Sequence, residues 1–132
     1  MDEATMELIG QAPELAGLLC EAFICEGFVS EGRLLANANV VYLRFEGVWH
    51  KLVIDCGVIF WRPLPAEPSP WTMEGWEYPH IDVGSVADVV GQRLRGYTME
   101  TVPAGASVTF QFENGRTITI DNDNDASSFQ IG

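Results

Sequence analysis

Positive charge is scarce in this chain: 7 Lys and Arg stand against 19 Asp and Glu, for a formal net charge of -12 over 132 residues. Nucleic-acid binding draws most of its affinity from Lys and Arg displacing counterions, so this composition argues against a nucleic acid as partner. Anionic lipid is disfavoured by the same sign of charge. No window approaches the roughly 18 consecutive apolar residues of a membrane span, because the apolar stretch 52–61 is interrupted by Asp55 and Gly57. Met1 is followed by Asp2 and Glu3, where a secretory leader needs a positive start and an apolar run, so the expected location is cytoplasmic.

Chemically useful side chains are few as well. Three cysteines, Cys20, Cys25 and Cys56, are an odd number without paired metal-ligand spacing, which fits a reducing compartment and small buried thiols. Two histidines, His50 and His80, form no H-x-x-x-H frame, so no metal centre and no cofactor is expected. Cys56 with His50 or His80 is the available thiol–imidazole combination, but no nucleophile-elbow pattern surrounds it, and an inert thiol is the expectation. Gly91 and Gly96 are not followed by the Lys-Ser/Thr of a phosphate loop. The run Asp121-Asn122-Asp123-Asn124-Asp125 opens like a calcium loop, yet Ala126 stands where the sharp turn needs Gly and Gly132 where a bidentate Glu is required, so it reads as a turn.

What is present organises the chain as one domain, long enough to bury a core without staples. Residues 1–31 read as helical: Leu15, Leu18, Leu19, Ala22 and Phe23 recur at one-face spacing after Pro13, and seven acids occur there with no Lys or Arg. Residues 32–62 read as a first β unit, with alternation over 41–45, a Glu46-Gly47 break, a return strand from Trp49 and a third run, 58–61, that Pro63 ends. Residues 81–131 read as a short helix capped by Asp82 or Ser85, then a second β unit in which Asn114-Gly115 predicts a type I′ hairpin. In both units a Gly-Arg-Leu type segment, Gly32-Arg33-Leu34-Leu35 or Gly91-Gln92-Arg93-Leu94, precedes hairpin strands and a closing Phe, which suggests an internal duplication. The expected fold is α+β, a helical N-terminus packed on a mainly antiparallel sheet or partly open barrel made of two similar three-strand units.

Between the units, residues 63–80 hold five of the seven prolines with Trp71, Trp76 and Tyr78, flanked by Glu67, Glu74 and Glu77. An irregular stretch of that length inside a domain is uncommon and tends to be functional, and tryptophan is an efficient interface anchor. With Trp61, these residues form the candidate binding set: Trp61, Trp71, Trp76, Tyr78, Glu67, Glu74 and Glu77. The alternative is that the indoles pin the loop to its own domain, and burial separates the two.

The pattern Gly91-Gln92-Arg93-Leu94-Arg95, Val108-Thr109-Phe110-Gln111-Phe112-Glu113-Asn114-Gly115, Ile118-Thr119-Ile120 and Ser127-Ser128-Phe129-Gln130-Ile131 resembles small uncharacterised bacterial domains, some grouped with the immunity proteins of toxin systems. That resemblance, over about the last forty residues, implies an acidic, cytoplasmic, non-enzymatic protein that masks a toxin. Charge points the same way, since an acidic surface steers basic proteins. The expected function is an acidic protein-binding module for a basic partner protein. The alternative is a small-ligand or carbohydrate-binding domain that stacks rings on the tryptophans, with hydrolysis as its enzymatic variant.

Overall fold

The computed structural model describes residues 7–132, and nearly all of their regular structure is β. Among these residues twelve strands occur: β1 Glu7–Gly10, β2 Cys20–Ser30, β3 Arg33–Phe45, β4 Val48–Asp55, β5 Val58–Leu64, β6 Trp71–Met73, β7 Trp76–Tyr78, β8 His80–Asp82, β9 Leu94–Val102, β10 Gly105–Phe112, β11 Thr117–Asp123 and β12 Ala126–Ile131. One helical turn, α1 Val83–Val86, lies among them, with Asp82 Oδ1 accepting from the Ser85 N–H at its start. The large sheet runs β1-β5-β4-β3-β2-β7-β6, with β8 also on β2, and the small sheet runs β12-β11-β10-β9. All pairings are antiparallel except β1 with β5. No helix among the described residues is long and apolar enough to cross a membrane.

The α+β expectation is overturned, because among the described residues no helical segment of the N-terminal region packs on a sheet. Leu15, Leu18, Leu19, Ala22 and Phe23 do recur at helical spacing, but Gly17 sits at φ 83 and cuts that window. Beyond it Cys20–Ser30 pairs along β3, burying Phe23 and Cys25 completely. The aromatic and β-branched residues of 23–29 favour the strand, and a long partner strand outweighs a weak helical periodicity. Asp2 and Glu3 of the expected acidic helix lie outside the described residues.

The two β units do not join into one sheet or barrel either. β3, β4 and β5 form a meander in the large sheet, while β10, β11 and β12 form one in the small sheet. The segments that looked equivalent differ: Arg33 and Leu34 begin the same strand that ends at Phe45, whereas Leu94 begins β9, a separate strand antiparallel to β10. Strand β5 also passes through Pro63 to Leu64. Its outer neighbour β1 stops at Gly10 opposite Trp61, so the missing N–H falls where that edge is open.

The core lies between the sheets. Phe23, Val41, Leu43, Phe45, Leu52, Ile59 and Trp61 from one side meet Leu94, Val108, Phe110, Phe112, Ile118 and Ile120 from the other. Phe23 and Phe110 meet edge to face with centroids 5.1 Å apart, a contact worth about 0.5–1.5 kcal/mol beyond its area.

The turns explain much of the register. Glu31-Gly32, Glu46-Gly47 and Cys56-Gly57 hold positive φ at both residues, the type I′ geometry whose twist matches flanking strands. Asn114-Gly115 joins β10 to β11 as expected, but by a different turn. Only Gly115 has positive φ, at 88, and its N–H donates to the Phe112 carbonyl at 3.0 Å. Asn114 instead donates from Nδ2 to the Asp88 carbonyl at 2.8 Å, so its side chain is committed to the segment after α1.

Candidate functional site

Residues 63–80 are not the irregular loop their prolines suggest. Trp71-Thr72-Met73 and Trp76-Glu77-Tyr78 are rich in strand-forming side chains, and Gly75, at φ 80, supplies the reversal between them. The resulting hairpin extends the large sheet: Glu77 pairs with Val29, Trp76 with Ser30, and Glu31 N–H donates to the Gly75 carbonyl at 2.9 Å. Its base is fixed by the Gly27 N–H, which donates to the Pro79 carbonyl at 2.8 Å.

Register decides which side chains act together. Trp71 pairs with Tyr78 and Met73 with Trp76, so all four occupy one face of the hairpin, while Thr72 and Glu77 occupy the other. The Trp71 and Tyr78 rings stack at 4.0 Å with planes 9° apart, and Tyr78 continues onto Phe28 at 5.4 Å. Nevertheless Trp71 is 46% exposed, Trp76 44% and Met73 50%. A cleft of about 330 Å³ runs along Pro70, Trp71, Thr72, Glu77, Tyr78 and Pro79. Glu67, Glu74 and Glu77 are exposed around it, joined by Glu31 from the neighbouring β2–β3 turn.

Six of the seven residues expected at the site therefore lie on or beside one hairpin. The seventh, Trp61, belongs to the core: it is 2% exposed, its Nε1 faces Met99 Sδ at 3.4 Å, and its ring contacts Tyr97 and Phe110. Alternation along β5 places it inward with Ile59.

Other candidate chemistry resolves into structure. Cys56 is exposed in the β4–β5 turn rather than buried, and a hydrogen bond to Asp55 raises its pKa above the ordinary thiol value. His50 stands near the opposite end of β4, and His80 is engaged elsewhere, so neither imidazole partners the thiol. The run from Asp121 to Asp125 is the end of β11 and a turn. Asn122, 2% exposed, accepts from the Gly57 N–H at 3.0 Å and donates to the Asn124 carbonyl at 3.0 Å, with Ser127 Oγ at 3.3 Å. It therefore ties the β4–β5 turn of one sheet to the β11–β12 turn of the other.

Sequence reasoning missed a buried polar group. Glu26, 3% exposed, meets His80 Nε2 at 2.9 Å as its direct partner across β2 and β8, and the Tyr42 ring lies 5.5 Å from His80. Burial, reinforced by the Glu26 charge, pushes the Tyr42 hydroxyl up to about 12. The pair anchors β8 next to the aromatic hairpin, and its partners come from segments too far apart in the chain for any local motif to reveal them. Comparison of the chain with protein-family models, with characterised proteins and with solved structures returns no match.

Proposed function

We propose that this protein is a non-enzymatic, acidic protein-binding module of the cytoplasm that receives a basic partner protein on the β6–β7 hairpin, in the manner of the immunity-type inhibitors that its C-terminal third resembles. The observation that carries this reading is the exposure of Trp71, Met73 and Trp76 on one hairpin face, with exposed Glu74 in the turn that joins the two strands and exposed Glu67 and Glu77 elsewhere on the same segment. Apolar anchors inside a charged rim are the arrangement in which a few aromatics dominate binding energy while charge guides encounter. The free cysteines support a reducing compartment.

A second reading is favoured by the cleft. The flat Trp71–Tyr78 stack beside about 330 Å³ of space suits a sugar ring as well as a side chain. An array of basic 15-residue peptides and a set of soluble oligosaccharides separates the two. The protein-binding reading expects saturable binding of basic peptides, weakened about tenfold or more by Trp71→Ala with Trp76→Ala, while stability changes by no more than about 0.5 kcal/mol. Oligosaccharide binding with no response to the peptides transfers the site to the second reading, and loss of stability in the double variant makes the hairpin scaffold.

A further inference from the structure

The large sheet is apolar on both faces, and only one faces the small sheet. On the other, Val40, Tyr42 and Trp49 form a separate cluster with Ala22, Ile24, Val53 and Leu64 packed against it. Residues paired across strands share a face, so this face also carries Lys51 opposite both Tyr42 and Arg62, and Val53 opposite Phe60. Lys51, Val53, Asp55, Phe60 and Arg62 line a cleft of about 300 Å³ between β4 and β5.

The charges in that cleft run against stability. Like charges directly opposite one another on a sheet destabilise it. In a chain with 19 acidic and 7 basic residues, opposite charge is plentiful. Yet the ion pairs among the described residues are Arg44 with Glu21 and Arg93 with Glu46, Glu26 is hydrogen-bonded to His80, and none of these contacts includes Lys51 or Arg62. Asp55, on the same face, stands four residues along β4 from Lys51, about 13 Å away at the usual strand rise. Breaks of a local rule of this kind concentrate at functional or strained sites.

We propose that the β4–β5 cleft is a second binding site, independent of the hairpin, for a carboxylate carried on an apolar body. The carboxylate lies between Lys51 and Arg62, where the guanidinium offers two parallel donors and the ammonium a point charge. The apolar body covers Val53 and Phe60, which neighbour that pair on the same face. Both parts are needed. A bare anion gains nothing from the apolar floor and meets the repulsion of a protein with formal charge -12, while a neutral ligand leaves the cations facing each other.

N-acetyl-phenylalanine, its amide and inorganic phosphate are the probes, read by backbone amide shifts. The acid should shift residues 51–55 and 58–62 saturably, the amide should bind about tenfold more weakly, and phosphate should not saturate over the same range. Lys51→Gln and Arg62→Gln should each weaken the acid several-fold while distant amides keep their positions. Should Arg62→Gln disturb the fold, Arg62→Lys, which keeps the charge but removes the second donor, should give an intermediate loss. The proposal is overturned if the acid fails to saturate, if amide or phosphate binds as well as acid, if the shifts map elsewhere, or if the variants bind like the wild type.

Discussion

At the scale of single residues, burial decides how the protein meets alkali. The Tyr42 and Tyr97 hydroxyls and the Cys20 thiol are each pushed up to about 12, chiefly because burial penalises their charged forms, and Cys25 moves the same way. In the unfolded chain these groups ionise near their ordinary values of 9.0 for the thiols and 10.0 for the phenols. A raised folded pKa adds stability that is complete below the unfolded value and is lost as pH climbs toward the folded one. The urea midpoint should therefore hold steady up to about pH 8 and fall progressively toward pH 12. Tyrosinate absorbance from these two phenols should appear together with unfolding. A midpoint that rises above pH 9 would contradict this account. Thiol reactivity gives a parallel readout: exposed Cys56 should react in the native protein, and Cys20 and Cys25 only after unfolding.

Between elements, the contacts that matter most join segments far apart in sequence. Asn122 approaches the Ile54 carbonyl with Nδ2 at 3.4 Å and accepts from the Gly57 N–H with Oδ1, bridging the turns of two sheets with one buried side chain. Asn122→Ala leaves buried donors and acceptors without partners and should lower stability by roughly 2–4 kcal/mol in denaturant melts. Substitution of neighbouring exposed Asp123 should change it by no more than about 0.5 kcal/mol. Local signals in the sequence read well here. The Glu46-Gly47 break, the strands on either side and the Asn114-Gly115 hairpin are all where alternation and turn chemistry put them, because a hairpin is specified by neighbours. The helical reading of residues 1–31 fails because the spacing of Leu15, Leu18, Leu19, Ala22 and Phe23 fits one helical face, and only pairing with the remote β3 reveals Phe23 and Cys25 as inward strand residues. For the same reason the aromatic hairpin was legible as a place, since tryptophans and acids cluster there. The Glu26–His80 pair and the Lys51–Arg62 pair depend on strand register and were not.

At the scale of the whole molecule, charge and topology act separately. The formal charge of -12 governs approach, so any binding of basic peptides at the hairpin should weaken as salt rises. Topology governs which parts need which others. The small sheet is made entirely of Leu94–Val102, Gly105–Phe112, Thr117–Asp123 and Ala126–Ile131, and it supplies most of the second wall of the core, which Leu15, Val83, Ala87 and Val89 complete. A ribosome reaches those strands after the large sheet. Until then Leu43, Phe45, Leu52 and Trp61 lack most of their opposing wall, and the nascent large sheet offers an apolar surface to chaperones or to another chain. A chain ending at residue 93 should accordingly be aggregation-prone and bind hydrophobic dyes, whereas replacement of residues 66–78 by a Gly-Ser linker of equal length, long enough to cross from β5 to β8, should leave a folded core. Translation order thus makes residues 94–131 the step that converts an adhesive intermediate into a closed two-sheet core, so truncation within them is more hazardous than loss of the exposed hairpin.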